Sequence, residues 1–228
     1  MPHFFQSLFD GDKTGDRQLM TVMTKIADAT SVSIGLAGTS NVRTPCGDRH
    51  VANIRPGDLV VTRDNGLMPV RLVWSRSVSE AELAADPSLA PICLKPRAVG
   101  PMMPQKPLFI AGDHRILIPG YRLVDTPDTS SALIAAREIA GTSDAAFVDR
   151  TSSEFKFYNL VFDAQQVFNA NGLPVESFLV SQGSLASVTT DVRKTLEESF
   201  PDLCSTAEGY SSHKYPTTSR EQYLPEFA

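Results

Sequence analysis

Several things are scarce in this chain, and each absence narrows what it does. Only three of its 228 residues are cysteine. Cys46, Cys93 and Cys204 stand at unrelated spacings, which make neither a disulfide framework nor a zinc pattern. Lys and Arg are outnumbered, 21 against 26 Asp and Glu, and they nowhere form a run. A net charge of −5 with no basic stretch argues against nucleic-acid binding. Long apolar runs are missing too, since nothing approaches the roughly 20 residues of a membrane span. The opening MPHFFQSLFDGDKTGD has no basic n-region and no long apolar h-region, so it does not read as a signal peptide. A reducing cytoplasm is the expected compartment. His50 and His213 have no carboxylate or cysteine at ligand spacing, so neither metal nor cofactor is expected.

What is present is enough for a packed domain. Apolar residues make up 42% of the chain, and the length suits one β-type domain with appendages. Residues 1–30 stand apart. Phe4, Phe5, Leu8 and Phe9 cluster, and Leu19, Met23 and Ile26 then fall at helical spacing, predicting a short amphipathic helix over 16–29. The loop between them places Asp10 and Asp12 at the first and third positions of a calcium loop, with Gly15 at the sixth. The twelfth position is Thr21 rather than the bidentate Glu such a loop needs. An Asp/Gly turn capping the helix is the simpler account.

From Ile34 onward the pattern is extended chain broken by turns. Val42 leads into a Thr44-Pro45-Cys46-Gly47 turn, and Arg55-Pro56-Gly57-Asp58 makes a second. Leu59-Val60-Val61-Thr62 is a β-branched strand, and Asp64-Asn65-Gly66 supplies the left-handed residues of a hairpin. Residues 69–78 alternate and are expected to pair with that strand. Further strands are predicted at 91–94, 108–110, 116–118 and 154–163, and a strand–turn–strand around Asn171-Gly172 over 165–178. Leu133 to Gly141 begins apolar and turns helical near Arg137. A last helix is predicted over 191–203, followed by a Ser-, Tyr- and Pro-rich tail. Trp74, the only tryptophan, reads as a core anchor.

A G-T pair (Gly38-Thr39), a strand, T-P-x-G (Thr44 to Gly47) and R-P-G-D-L-V-V-T-R-D-N-G (Arg55 to Gly66) together resemble the opening of Hint domains. This is the Hedgehog/intein family, in its stand-alone branch of alphaproteobacterial type. The resemblance runs over roughly 34–223. It implies an all-β fold of Hint type, a β-horseshoe with an N-terminal helix and a C-terminal helix plus tail. The implied division is a helical appendage at 1–30, the Hint domain at 31–183, and the helix and tail at 184–228.

The resemblance also implies a chemistry. An active Hint domain attacks its own N-terminal peptide bond with a Cys or Ser at the first position, because a small nucleophile is needed there. That position lies four residues before the glycine of the G-T pair and falls on Ile34, or on Gly35 with the register shifted by one. Neither attacks anything; Ser33 is one residue too early and serves only with a slip. The family's T-x-x-H string, whose His protonates the departing amide, matches Ala111-Gly112-Asp113-His114, with the His kept and the hydroxyl lost. Gln165 and Gln166 stand where inteins carry a second His, and Glu176-Ser177 where they end in His-Asn. Splicing is thereby excluded more firmly than cleavage. Asp163 ends the alternating strand and is a candidate general base, and Cys46 reads as a loop thiol.

Three functions remain in play. The chain is a Hint domain that has lost self-processing and persists as a β-scaffold. Alternatively it cleaves itself, with Ser33 or Thr39 as nucleophile and His114 as acid. Thirdly, the N-terminal helix, the tail or the old cleft engages another protein.

Overall fold

A computed structural model describes residues 33–124, 131–201 and 215–224. The expected N-terminal helix, the Asp10–Asp16 loop and Cys204 lie outside the described residues. In chain order come β1 (Leu36–Ala37), β2 (Asn41–Thr44), β3 (Gly47–His50), β4 (Leu59–Thr62) and β5 (Gly66–Pro69). They are followed by β6 (Leu72–Val78), α1 (Glu80–Ala85), β7 (Ile92–Leu94), β8 (Leu108–Ile110), β9 (Arg115–Pro119) and β10 (Ser131–Ala135). After α2 (Ala136–Ile139) run β11 (Ala146–Val148), β12 (Phe155–Val161), β13 (Val167–Ala170) and β14 (Leu173–Glu176). Helices α3 (Gln182–Ser187) and α4 (Thr190–Ser199) follow, and a short 3-10 turn spans Arg220–Gln222.

The strands make two antiparallel sheets. One has six strands in the order β11-β7-β8-β1-β12-β6. The other has eight: β10-β9-β14-β13-β2-β3 in sequence, with β4 joined to β13 and β5 to β4. The chain passes repeatedly between them, and the edge strands of neither sheet pair to close it. This is the all-β, two-sheet architecture that the resemblance implies, with helices added after the last strand.

Most turns fall where their residues demand. Gly57 and Gly66 sit at φ +91° and +65°, in the left-handed region that glycine enters without cost. Asn171 does so as well, at φ +50°, because its side chain is used on the spot. Its Oδ1 accepts from the Asn41 amide and its Nδ2 donates to the Pro107 carbonyl, each at 2.8 Å.

The run 69–78 departs from expectation. It breaks at Val70-Arg71, and the second half pairs with β12 rather than with β4. The backbone explains it. Val70 exchanges hydrogen bonds with Gly57 and Asp58 of the preceding turn, whereas the Arg71 amide donates to Val161. The chain therefore changes sheets between these two residues.

The main core lies between the sheets and includes Leu36, Ile54, Leu108, Ile110, Ile116, Phe162 and Phe168. A second cluster joins β6 and β12 to the C-terminal helices through Leu72, Trp74, Val161, Phe178, Leu185, Val192, Leu196 and Phe200. Trp74 is 3% exposed and meets Phe178 edge-on, an anchor as its sequence context suggests. Helix α4 runs from Thr190 to Ser199, within the predicted 191–203 to one residue at its start, and α3 precedes it unforeseen, started by Ser181 and Ser184 as a reciprocal cap. The tail also packs: Tyr223 is buried in the main core, and Thr217 bridges to Leu133 beside β10. No helix among the described residues is long and apolar enough to cross a membrane.

Candidate functional site

Three pieces of chain meet where the two sheets part. The segment Ser33-Ile34-Gly35 enters β1, the turn 111–114 joins β8 to β9, and β12 runs alongside. The turn is held on both sides by backbone bonds. His114 N–H donates to the Ala111 carbonyl, Ala111 N–H to Gly35, and Asp113 N–H to Ser33. From the far side, Ala136 donates to the His114 carbonyl and Arg137 to Gly112. The imidazole thus sits on a fixed backbone.

One peptide bond is gripped at both ends. The Gly35 N–H donates to His114 Nδ1 at 3.1 Å, and the Ile34 carbonyl accepts from Asn159 Nδ2 at 3.3 Å. Upstream, the Ser33 amide donates to Asp113 Oδ2 at 3.3 Å, and Arg137 pairs with that carboxylate. Beyond the imidazole lies a cavity of about 450 Å³, walled by Ile34, Asn159, Ala135, Glu176, Phe178 and Leu179 among others. Glu176 is buried there, paired with Arg115 at 3.6 Å and taking a hydrogen bond from the Gln165 side chain. Ser177 Oγ accepts from the Gln166 amide at 2.9 Å.

His114 is 6% exposed, and burial pushes its pKa down from 6.5 to about 4. The Glu176 carbonyl, facing the ring outside normal hydrogen-bond geometry, opposes this, and the Arg115 charge adds to it. At neutral pH the ring is uncharged. With Nδ1 accepting from Gly35, its proton sits on Nε2.

The other sequence candidates are scattered. Ser33 is 4% exposed, next to the gripped peptide, with its Oγ unpartnered. Thr39 is exposed in the turn after β1. Asp163 is half-exposed and pairs with Arg71 at 3.5 Å, away from the cavity lining. Cys46 is exposed, as its loop position implies, and no group of three or more metal-ligating side chains occurs among the described residues. Asn159 is the residue that motif matching missed. A polar side chain on the face shared by Phe155, Phe157 and Val161 was the available signal.

The fold and this cleft define a class: a two-sheet β-domain built around a peptide of its own chain. The family model described as Hint domain matches residues 34–182, and the chain belongs to that family. Solved structures similar to it include the gp41-1 intein, at 15% identity over 63% of this chain and 98% of that one, with a TM-score of 0.35. A bacterial intein-like domain from Clostridium thermocellum matches at 11% identity over 65% and 100% of the two chains, with a TM-score of 0.38. The AceL NrdHF class 3 split intein matches at 12% over 64% and 97%, with a TM-score of 0.41. No curated protein matches the chain significantly.

Proposed function

We propose that this Hint domain no longer cuts or splices its chain and serves as a β-scaffold whose cleft docks a partner. One observation carries the reading: the grip is aimed at the Ile34–Gly35 peptide, and Gly35 has no side chain and no room for one. It sits at φ +124°, and a Cβ there would lie 2.8 Å from Phe157 Cβ and 2.9 Å from Asn159 Nδ2. An acyl shift of this bond needs a thiol or hydroxyl on residue 35, so the site excludes its own nucleophile. Intact mass tests the reading. The full-length chain stays a single 24.8 kDa species through incubation with thiol or hydroxylamine; release of an N-terminal fragment would refute it.

A second reading has one observation in its favour, the buried and unpartnered Ser33 Oγ. Its attack on the preceding carbonyl would make an ester, expel the Ser33 amine and, after hydrolysis, free residues 1–32. The leaving nitrogen, however, faces the Asp113 carboxylate, while the imidazole faces Gly35, two residues on. Ser33→Ala abolishing a mass change would establish this route.

A further inference from the structure

A sheet edge invites a stranger's strand unless something covers or charges it. Among the described residues, four of the five edges are dealt with. The tail bonds to β10, since Leu133 N–H donates to the Pro216 carbonyl and Thr218 N–H to the Leu133 carbonyl. Strand β3 carries Asp48, Arg49 and His50, all exposed. Strand β6 is buried at every residue but Ser77. Strand β11 has three residues, with the Lys95 ammonium over its Phe147 ring and the Gly141 amide on its Ala146 carbonyl. That leaves β5, which pairs only with β4 and bears no charge from Gly66 to Pro69.

This edge has groups to offer. Val70 N–H donates to the Asp58 carbonyl, and stepping back two residues at a time along the register makes Met68 and Gly66 the residues bonded to β4. The Leu67 N–H and C=O between them point off the edge. Pro69 has no N–H, so Leu67 is the residue of β5 able to exchange both bonds with an incoming strand. On the outer face, Leu67 is 50% exposed opposite Val61, and Leu59, two residues along β4, is 42% exposed.

The surrounding charge is positive, although the chain as a whole carries −5. Residues 41–71 hold five arginines against three aspartates. Those aspartates are engaged already: Asp48 with Arg43, Asp58 with Arg49, and Asp64 with the Tyr215 hydroxyl. Exposed Arg63 and Arg71 stand beyond the two ends of β5. Asp163 meets Arg71 only at 3.5 Å, with both side chains half in water. We infer that the β5 edge takes an extended acidic segment of another protein. That segment exchanges both backbone bonds with Leu67, lays apolar side chains beside Leu59 and Leu67, and sets carboxylates near Arg63 and Arg71. A second copy of this chain fits badly, because antiparallel pairing of β5 with itself brings Arg63 of one copy beside Arg71 of the other. None of these residues lines the cleft cavity, so the inference stands apart from the reading of the cleft.

The full-length protein, labelled with nitrogen-15, is titrated at pH 7 with the blocked peptides ELEVELE, KLKVKLK and ELEPELE. The second reverses the charge of the first, and the third keeps the charge but removes the central N–H. ELEVELE shifts the Gly66, Leu67 and Met68 amide peaks saturably and slows hydrogen exchange at the Leu67 amide at least tenfold. Each of the other peptides binds at least tenfold more weakly. No saturable shift overturns the inference, as does equal or tighter binding of the basic or the proline peptide. Shifts confined to the cleft, at Asn159 and Phe178, overturn it as well. Leu67→Ser and Arg63→Gln, both at exposed positions, each weaken ELEVELE at least fivefold while the Trp74 indole peak stays in place. Unchanged affinity in both variants removes the assignment to this edge. Tighter binding to phosphatidylserine vesicles than to ELEVELE, through the same peaks, replaces the acidic strand with a membrane surface and overturns the inference.

Discussion

The Gly35 amide donates to His114 Nδ1, which sets the imidazole against the Ile34–Gly35 peptide, the two residues on which the family resemblance places the first position. The cleft holds a peptide whose two flanking residues carry hydrocarbon and hydrogen.

Gly35→Ala strains the backbone and drives a methyl group against Phe157 and Asn159. Positive φ and overpacking together cost about 2–4 kcal/mol. Thermal unfolding is expected to fall by about 5–12 °C in a chain of this size. Gly35→Cys suffers the same penalty and restores no cleavage. A melting temperature within a degree of the parent would mean that the grip on this peptide is wrong.

His114 makes stability depend on acid. Its pKa falls from 6.5 unfolded to about 4 folded, so between those values the unfolded chain binds the extra proton. The contribution is complete above pH 6.5 and is lost as pH drops through 4, on the order of 3 kcal/mol. Urea unfolding from pH 7 to 4 should show the parent losing that much more than His114→Gln. Parallel curves for the two proteins would disprove the burial of a neutral ring.

Much of the framework was legible because turns announce themselves. Asn65-Gly66, Arg55 to Asp58 and Asn171-Gly172 each place a residue that tolerates left-handed backbone at the bend, and the strands between them followed to within a residue or two. Strand partners were less legible. Nothing local to 69–78 says that Arg71 bonds to Val161, ninety residues on, and periodicity is blind to that. The site was half readable. His114 came from a string of neighbours, whereas Asn159 acts on Ile34 from 125 residues away and resembles any polar residue in a strand.

Asn171→Ala tests the joint between the strands. It removes two half-buried hydrogen bonds, to Asn41 and Pro107, at a φ of +50° that alanine resists. A loss of about 2–4 kcal/mol is expected in urea unfolding. A cost below about half a kcal/mol would show that the turn does not tie these segments.

Residues 215–224 of the tail suggest little as sequence, yet they pack at defined contacts. Tyr215 lies against Leu117, Leu133 and Val167 and donates its hydroxyl to the Asp64 carboxylate at 2.8 Å, tying the tail to the β4–β5 hairpin. Burial, then the Asp64 hydrogen bond and charge, raise its pKa above the ordinary 10. Tyr215→Phe should therefore cost about 1–2 kcal/mol at pH 7, a hydrogen bond to a charged acceptor in a half-buried setting. The sign at high pH is opposite to that of His114. An acid whose folded pKa is raised stabilises below its unfolded value and loses that contribution as pH climbs through the folded one. The gap between parent and Tyr215→Phe should thus narrow above pH 10. A gap that stays constant from pH 7 to 11 would mean that the hydroxyl is not held by Asp64, and that the tail stays in place by its backbone bonds and by Tyr223 alone.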